Sequence, residues 1–261
     1  MSAIKMNEAG ARILRNKLGA LSAADPECTL FASQSHRYCL GRPLSPAEIT
    51  DFEATFGVTL PEEYAFFLTH IGNGGLPISA EDKERLSELD IAAQLPESND
   101  DLKGIHAQHL IHQASLFNNG AGPGYGLIPL GHWDQFLVAD DPWHIADSID
   151  DSLFEPDTWA AAVEKLNTLP MDNDVTYSAD WWEMRKSLQA GQLFIADYGG
   201  DDYRAVILSG KHRGAVISAS RDLDPTIPPE IVTPDFLTWY QNWLDSAMTK
   251  VDSRVNGSVI G

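Results

Sequence analysis

SPAEITDFEATFGVTLPEEYAFFLTHIGNGG, residues 45–75, decides how the rest of the chain is read. Ser45 offers a side-chain oxygen to cap a helix, Pro46 suits the first turn, and Glu48 completes a Ser-x-x-Glu capping box. Ile49, Phe52 and Phe56 follow at i, i+3 and i+7, so one side of that helix is apolar and the acids between them face water. Gly57 ends it, because glycine reaches the left-handed conformation without a Cβ clash. Pro61 opens a second helix, with Glu62 and Glu63 at the positive end of its dipole. Tyr64, Phe67, Leu68 and Ile71 form its apolar stripe, and Gly72-Asn73-Gly74-Gly75 stops it. The prediction is two short helices joined by an extended Val58-Thr59-Leu60 step.

Outward from this stretch the chain changes pattern several times. Residues 1–20 read as an amphipathic helix with Ile4, Ala11, Leu14 and Leu18 on one side and basic residues on the other. Such a helix can lie on a membrane, but docking on an acidic body of its own chain is the preferred reading. Leu127–Leu130 reads as a short strand in which Pro129 suits a sheet edge. A helix is expected from about Pro156 to Leu166, with Trp159, Val163 and Leu166 inward. From Gly191 the pattern is β: Leu193–Ala196, Tyr203–Leu208 and Gly214–Ser218, separated by glycine turns, predict a three-stranded meander. A closing helix opens at Thr233-Pro234-Asp235 and buries Phe236, Tyr240, Trp243, Leu244 and Ala247. From Val251 the chain is polar and expected to fray.

An acidic helix, a Gly-x-x-Leu-Pro-x-x-Tyr step and an aromatic helix ending in Asn-Gly-Gly are carried here by Phe52, Glu53, Gly57, Leu60, Pro61, Tyr64, Phe67, Leu68, Asn73, Gly74 and Gly75. This combination resembles the SUKH superfamily. Gly199, Gly200, Gly210, Gly214 and Val216 of the meander and the aromatic closing helix extend the likeness, which covers residues 45–75, 120–133 and 191–248. The resemblance implies an α+β fold, a mostly antiparallel twisted sheet flanked by helices. It also implies a non-catalytic, protein-binding function. Bacterial members are immunity proteins that neutralise polymorphic toxins; fungal members regulate cell-wall synthesis, which leaves a scaffold or regulatory role as the alternative. In similar bacterial members Asn-Gly-Gly runs almost directly into a Gly-Pro-rich turn and a strand. Here that continuation is Gly120–Leu130, so residues 76–119 read as an inserted helical segment. The expected organisation is an amino-terminal helical arm (1–44), a SUKH-like domain (45–250) and a polar tail (251–261).

A chain of 261 residues with 43% hydrophobic content can bury a sizeable core. No run reaches the roughly 18 apolar residues of a membrane helix, and the amino terminus lacks the apolar core of a signal peptide. Two cysteines, Cys28 and Cys39, fit reduced thiols better than a disulfide framework. A cytoplasmic protein is expected. The formal net charge is −20, yet residues 1–44 carry six Lys/Arg against three acids, so the remainder holds −23. A field of that sign opposes nucleic acid and anionic membranes, both polyanions. It speeds association with a basic protein.

No arrangement of residues favours chemistry over structure. His106, His109 and His112 recur every third residue, which turns successive side chains away from one another on a helix, and zinc sites prefer i, i+4 pairs. Gly120–Gly126 is glycine-rich like a phosphate loop, but a strand rather than a helix is expected after it and no lysine accompanies it. Adjacent acids such as Asp201/Asp202 point to opposite faces of a strand. No Gly-x-Ser-x-Gly occurs. Neither a catalytic residue, a metal nor a cofactor is expected.

What stands out is acid interleaved with aromatics. Residues 134–183 hold thirteen Asp/Glu and only Lys165 as a base, a local charge of −12. The candidate partner-binding residues are Trp133, Asp140, Asp141, Trp143, Asp147, Asp150, Asp151 and Glu155, an aromatic and acidic set suited to a basic toxin domain. Trp181 and Trp182 belong to the same region. Each tryptophan taken singly is better read as core.

Overall fold

In a computed structural model the described residues are 4–75, 119–130, 145, 147–172, 176–199, 202–220 and 223–257. Residues 76–118 of the expected insertion 76–119, with its three histidines, lie outside them. The chain opens with α1 (Glu8–Ala24), capped by Asn7 and burying Ala11, Leu14, Leu18 and Leu21. Its polar side is tied to the body, as expected of a docked arm: Lys17 pairs with Asp245 and Arg15 donates to the His70 carbonyl. Asp25 closes the helix and gathers the next turns, accepting hydrogen bonds from the Thr29 amide (2.8 Å), the Thr29 hydroxyl (2.7 Å) and the Tyr38 hydroxyl. Burial alone would raise its pKa; hydrogen bonds from Tyr38, Thr29 and Leu30 outweigh it and hold the carboxyl at about 2. A single turn, α2 (Ser33–His36), follows.

Residues 45–75 fold as their caps dictate. α3 (Pro46–Phe56) starts at a complete capping box, with the Ser45 amide donating to Glu48 (2.8 Å) and the Glu48 amide to Ser45 (3.3 Å). It ends where Gly57 adopts φ 66°, and α4 (Glu62–His70) begins after Pro61. Asn73 then joins distant chain: its side-chain oxygen accepts from the Leu130 amide at 2.8 Å, and its side-chain nitrogen donates to the Leu130 carbonyl.

The sheet is antiparallel throughout, in the order β1-β4-β5-β6-β7. Its strands are β1 (Gly126–Leu127), β4 (Gln192–Gly199), β5 (Asp202–Ile207), β6 (Val216–Ser220) and β7 (Glu230–Thr233), while β2 (Met171–Asp172) and β3 (Thr176–Tyr177) form a separate hairpin. The three-stranded meander is therefore present, extended by an edge strand on each side. β1 is shorter than the expected Leu127–Leu130, because pairing leaves the strand at Ile128, ahead of Pro129. β7 went unread: it has four residues between Pro229 and Pro234, and a register shift opposite Val216 and Ile217 bends it.

The hairpin is preceded by α5 (Pro156–Asn167), close to the expected span, and followed by α6 (Ala179–Leu188). The closing helix α7 (Phe236–Gly257) is begun by Asp235, whose carboxylate accepts from the Thr238 amide at 2.7 Å. It runs past Val251, which is buried, so the expected fraying at that point gives way to helix as far as Gly257. Among the described residues no helix is long and apolar enough to cross a membrane.

The main core lies on one sheet face, where α1, α3, α4 and α7 meet Leu193, Ile195, Val206 and Val216. Phe67 is its centre, with ring centroids 4.9 Å from Phe236 and 4.7 Å from Tyr240. The Phe67→Ala variant should lose about 3–5 kcal/mol of stability, read from urea unfolding. Leu60 and Tyr64, also buried, should behave likewise, unfolding the protein rather than disabling a surface.

His36 gives the fold a pH dependence of predictable sign. It is buried, its Nδ1 accepts from the Tyr38 amide at 3.0 Å, and burial pushes its pKa down from 6.5 to about 4. The unfolded chain gains this proton below pH 6.5 while the native chain resists until about pH 4. Stability from this group is thus complete above pH 7 and is lost as pH falls through that window, about 2 kcal/mol by pH 5. His36→Gln should flatten the slope of urea-unfolding free energy against pH between 7 and 5.

Candidate functional site

Within the acidic stretch, residues 147–155 form a strap across the second face of the sheet. Ile149 joins Ala205, Ile207, Ala215, Ile217 and Ala219 in a small apolar cluster there, with Phe154 packed against it. Leu153 turns into a third cluster formed with Trp159, Val163, Leu166, Trp181, Leu188 and Leu223. Ile145, Ile149 and Leu153 are buried, whereas Asp147, Asp150, Asp151 and Glu155 are exposed. The strap's apolar residues anchor it and its carboxylates are left in water.

Local geometry explains the path. Gly191, at φ 67°, lies so close to the strap that a Cβ there would come within 2.7 Å of the Asp147 carbonyl oxygen. The Ser209 hydroxyl donates to that carbonyl at 3.3 Å. Asp150 caps the 3-10 turn Asp151–Phe154, its Oδ1 accepting from the Ser152 amide at 2.9 Å, and this bond lowers its pKa. His212, on the β5–β6 turn, comes 4.0 Å from Asp151 Oδ1 and lies edge-on to the Phe154 ring. The strap is therefore held at one end of the meander, where the start of β4 lies beside the β5–β6 turn. α5 continues it, with Asp157 in the first turn and the Trp159 indole donating to the Asp224 carbonyl at 2.7 Å.

Of the eight candidate contacts, the structure brings Asp147, Asp150, Asp151 and Glu155 together on this strap. Trp133, Asp140, Asp141 and Trp143 lie outside the described residues. Trp181 is core, and Trp182 is half-buried beside it. Tyr177, an aromatic of the acidic stretch outside the eight candidates, has an exposed ring that stacks on Trp181; the i, i+4 spacing across the Ser178 cap is the sequence signal for it.

The arrangement is suited to binding. The glycine-rich segment 120–126 is a turn leading into β1, and the buried Tyr240 hydroxyl donates to its Ala121 carbonyl at 3.0 Å. Asp197, fully buried on β4, accepts from the Gly199 amide at 2.7 Å and shapes the β4–β5 turn; burial raises its pKa. Among the described residues no three His, Cys, Asp or Glu side chains converge as metal ligands would.

Comparison with curated proteins and with solved structures returns no match. A family model described as the SMI1 / KNR4 family (SUKH-1) does match, over residues 43–242. That span runs from the entry to α3 into the closing helix, and so takes in the sheet, its aromatic cover and the strap. The family comprises immunity proteins and regulators, generally non-catalytic, that bind other proteins. On this match, with its caps, meander and aromatic closing helix in place, the chain belongs to the SMI1/KNR4 (SUKH-1) family.

Proposed function

We propose that this chain is an immunity protein that binds and occludes a cognate toxin, a basic domain acting on nucleic acid being the best electrostatic fit. One observation carries this reading. Asp147, Asp150, Asp151 and Glu155 stand exposed on a strap whose attachment depends on Ile149 and Leu153 instead. All four carboxylates are exposed, although Asp150 also caps the 3-10 turn and Asp151 lies 4.0 Å from His212. A domain that acts on nucleic acid must carry a basic surface to meet phosphates. The strap, within a region of charge −12, competes for that surface. Association is steered by the field, and inhibition follows from steric cover without chemistry.

The reading is tested by co-expression with the toxin encoded beside this gene. Protected cells and a stable complex are expected. No protection and no capture of that toxin would sink the proposal, and capture of a cellular protein alone would transfer the chain to the regulatory branch of the family. Within the complex, the variant Asp147→Asn/Asp151→Asn/Glu155→Gln should associate about tenfold more slowly at low salt. The difference should shrink as ionic strength rises.

A further inference from the structure

Tyr177 precedes the Ser178 cap of α6 and stacks on Trp181, with ring centroids 3.8 Å apart and 15° between planes. Trp182 meets both rings edge-on, 4.9 Å from Trp181 and 6.1 Å from Tyr177. The Arg185 guanidinium sits over Trp181 at 5.3 Å. Trp181 is buried among Leu153, Trp159, Val163, Leu166 and Leu188, so the ladder is rooted in a small core of its own. Tyr177 nevertheless remains 42% exposed. A tyrosine ring fixed by a buried tryptophan loses little freedom when something binds, which is the property of a hot-spot residue. Burying the outer ring would gain free energy that folding of this chain leaves unused.

Beside the rings, Asp180 and Glu183 are exposed on the first turns of α6, with Lys186 3.2 Å from Glu183. A ring face next to carboxylates suits a guanidinium. Its plane stacks on the ring while its N–H groups meet the carboxylate, and a compact ammonium achieves only part of this. We propose that the ladder docks an arginine-bearing segment of the protein partner, with Tyr177 and Trp182 supplying ring surface and Asp180 and Glu183 the carboxylates. This rests on the reading of the chain as a binder of a basic protein and adds where the contact is made. Trp159 of α5 and Leu188 of α6 line one cleft, and Trp181 at the root of the ladder shares its apolar cluster with Leu153 of the strap. Ladder and strap thus draw on one small core, and a single interface of standard size can take in both.

Nona-arginine and nona-lysine peptides, titrated against the whole protein at low salt by calorimetry and tryptophan fluorescence, test the proposal. Nona-arginine should bind more tightly. Tyr177→Ala should weaken nona-arginine about tenfold and change nona-lysine little, while Tyr177→Phe, which keeps the ring, retains binding. Asp180→Asn, a surface change that leaves the packing intact, should weaken nona-arginine about threefold. Equal affinity for the two peptides, or nona-arginine affinity unchanged in both Tyr177→Ala and Asp180→Asn, overturns the proposal. Loss of cell protection with arginine selectivity intact would sink the immunity reading alone. Protection without selectivity would sink the ladder alone.

Discussion

The structure depends on covering both faces of one antiparallel sheet. Successive strand residues point to opposite sides, and the end of β5 shows it: Val206 and the following Leu208 enter the main core while Ala205 and Ile207 enter the second. The first face receives large aromatics from α4 and α7. The second is floored by small side chains, Ala205, Ala215 and Ala219, so a strap can lie close with few apolar residues of its own. Ile149 and Phe154 suffice there, and that economy leaves the rest of the strap free to be acidic.

This asymmetry divides the chain into a part that is fixed and a part that is not. α3, α4, the meander and α7 interlock through Phe67, Phe236 and Tyr240, and any change there is felt as stability. The strap and the α5–α6 pair are held by separate, smaller clusters. Their outward residues can vary in charge and shape without disturbing the sheet. In a family whose members bind different proteins, that is where specificity is physically cheapest to place. The basic amino-terminal arm fits the same logic, since Lys17 meets Asp245 and turns part of the acidic field inward.

Legibility followed locality. The opening helices could be read because their limits are set within a few residues: Ser45 and Glu48 cap each other, and Gly57 must take a left-handed turn. The meander was visible through apolar runs punctuated by glycine. The strap was recognised as acidic but not as a sheet cover, because the burial of Ile149 depends on Ala205 and Ala219, far away in sequence. β7 was hidden by its length and its flanking prolines. The carboxyl-terminal turns read as a polar tail, yet Val251 is buried in the main core and Arg254 donates to the Thr29 carbonyl, contacts no local pattern announces. Tyr177 is not separable from core aromatics by pattern, because its stacking on Trp181 crosses a helix cap, where periodicity is broken.

The central claim, that the acidic face and not the aromatic body makes the functional contact, is open to one direct measurement. Amide hydrogen exchange would be compared for the protein alone and in complex with the toxin encoded beside its gene. New protection over residues 147–155 and 177–183, with α3 and α4 unchanged, is the predicted result. Protection centred on α3 and α4, with the strap exchanging as in the free protein, would contradict it.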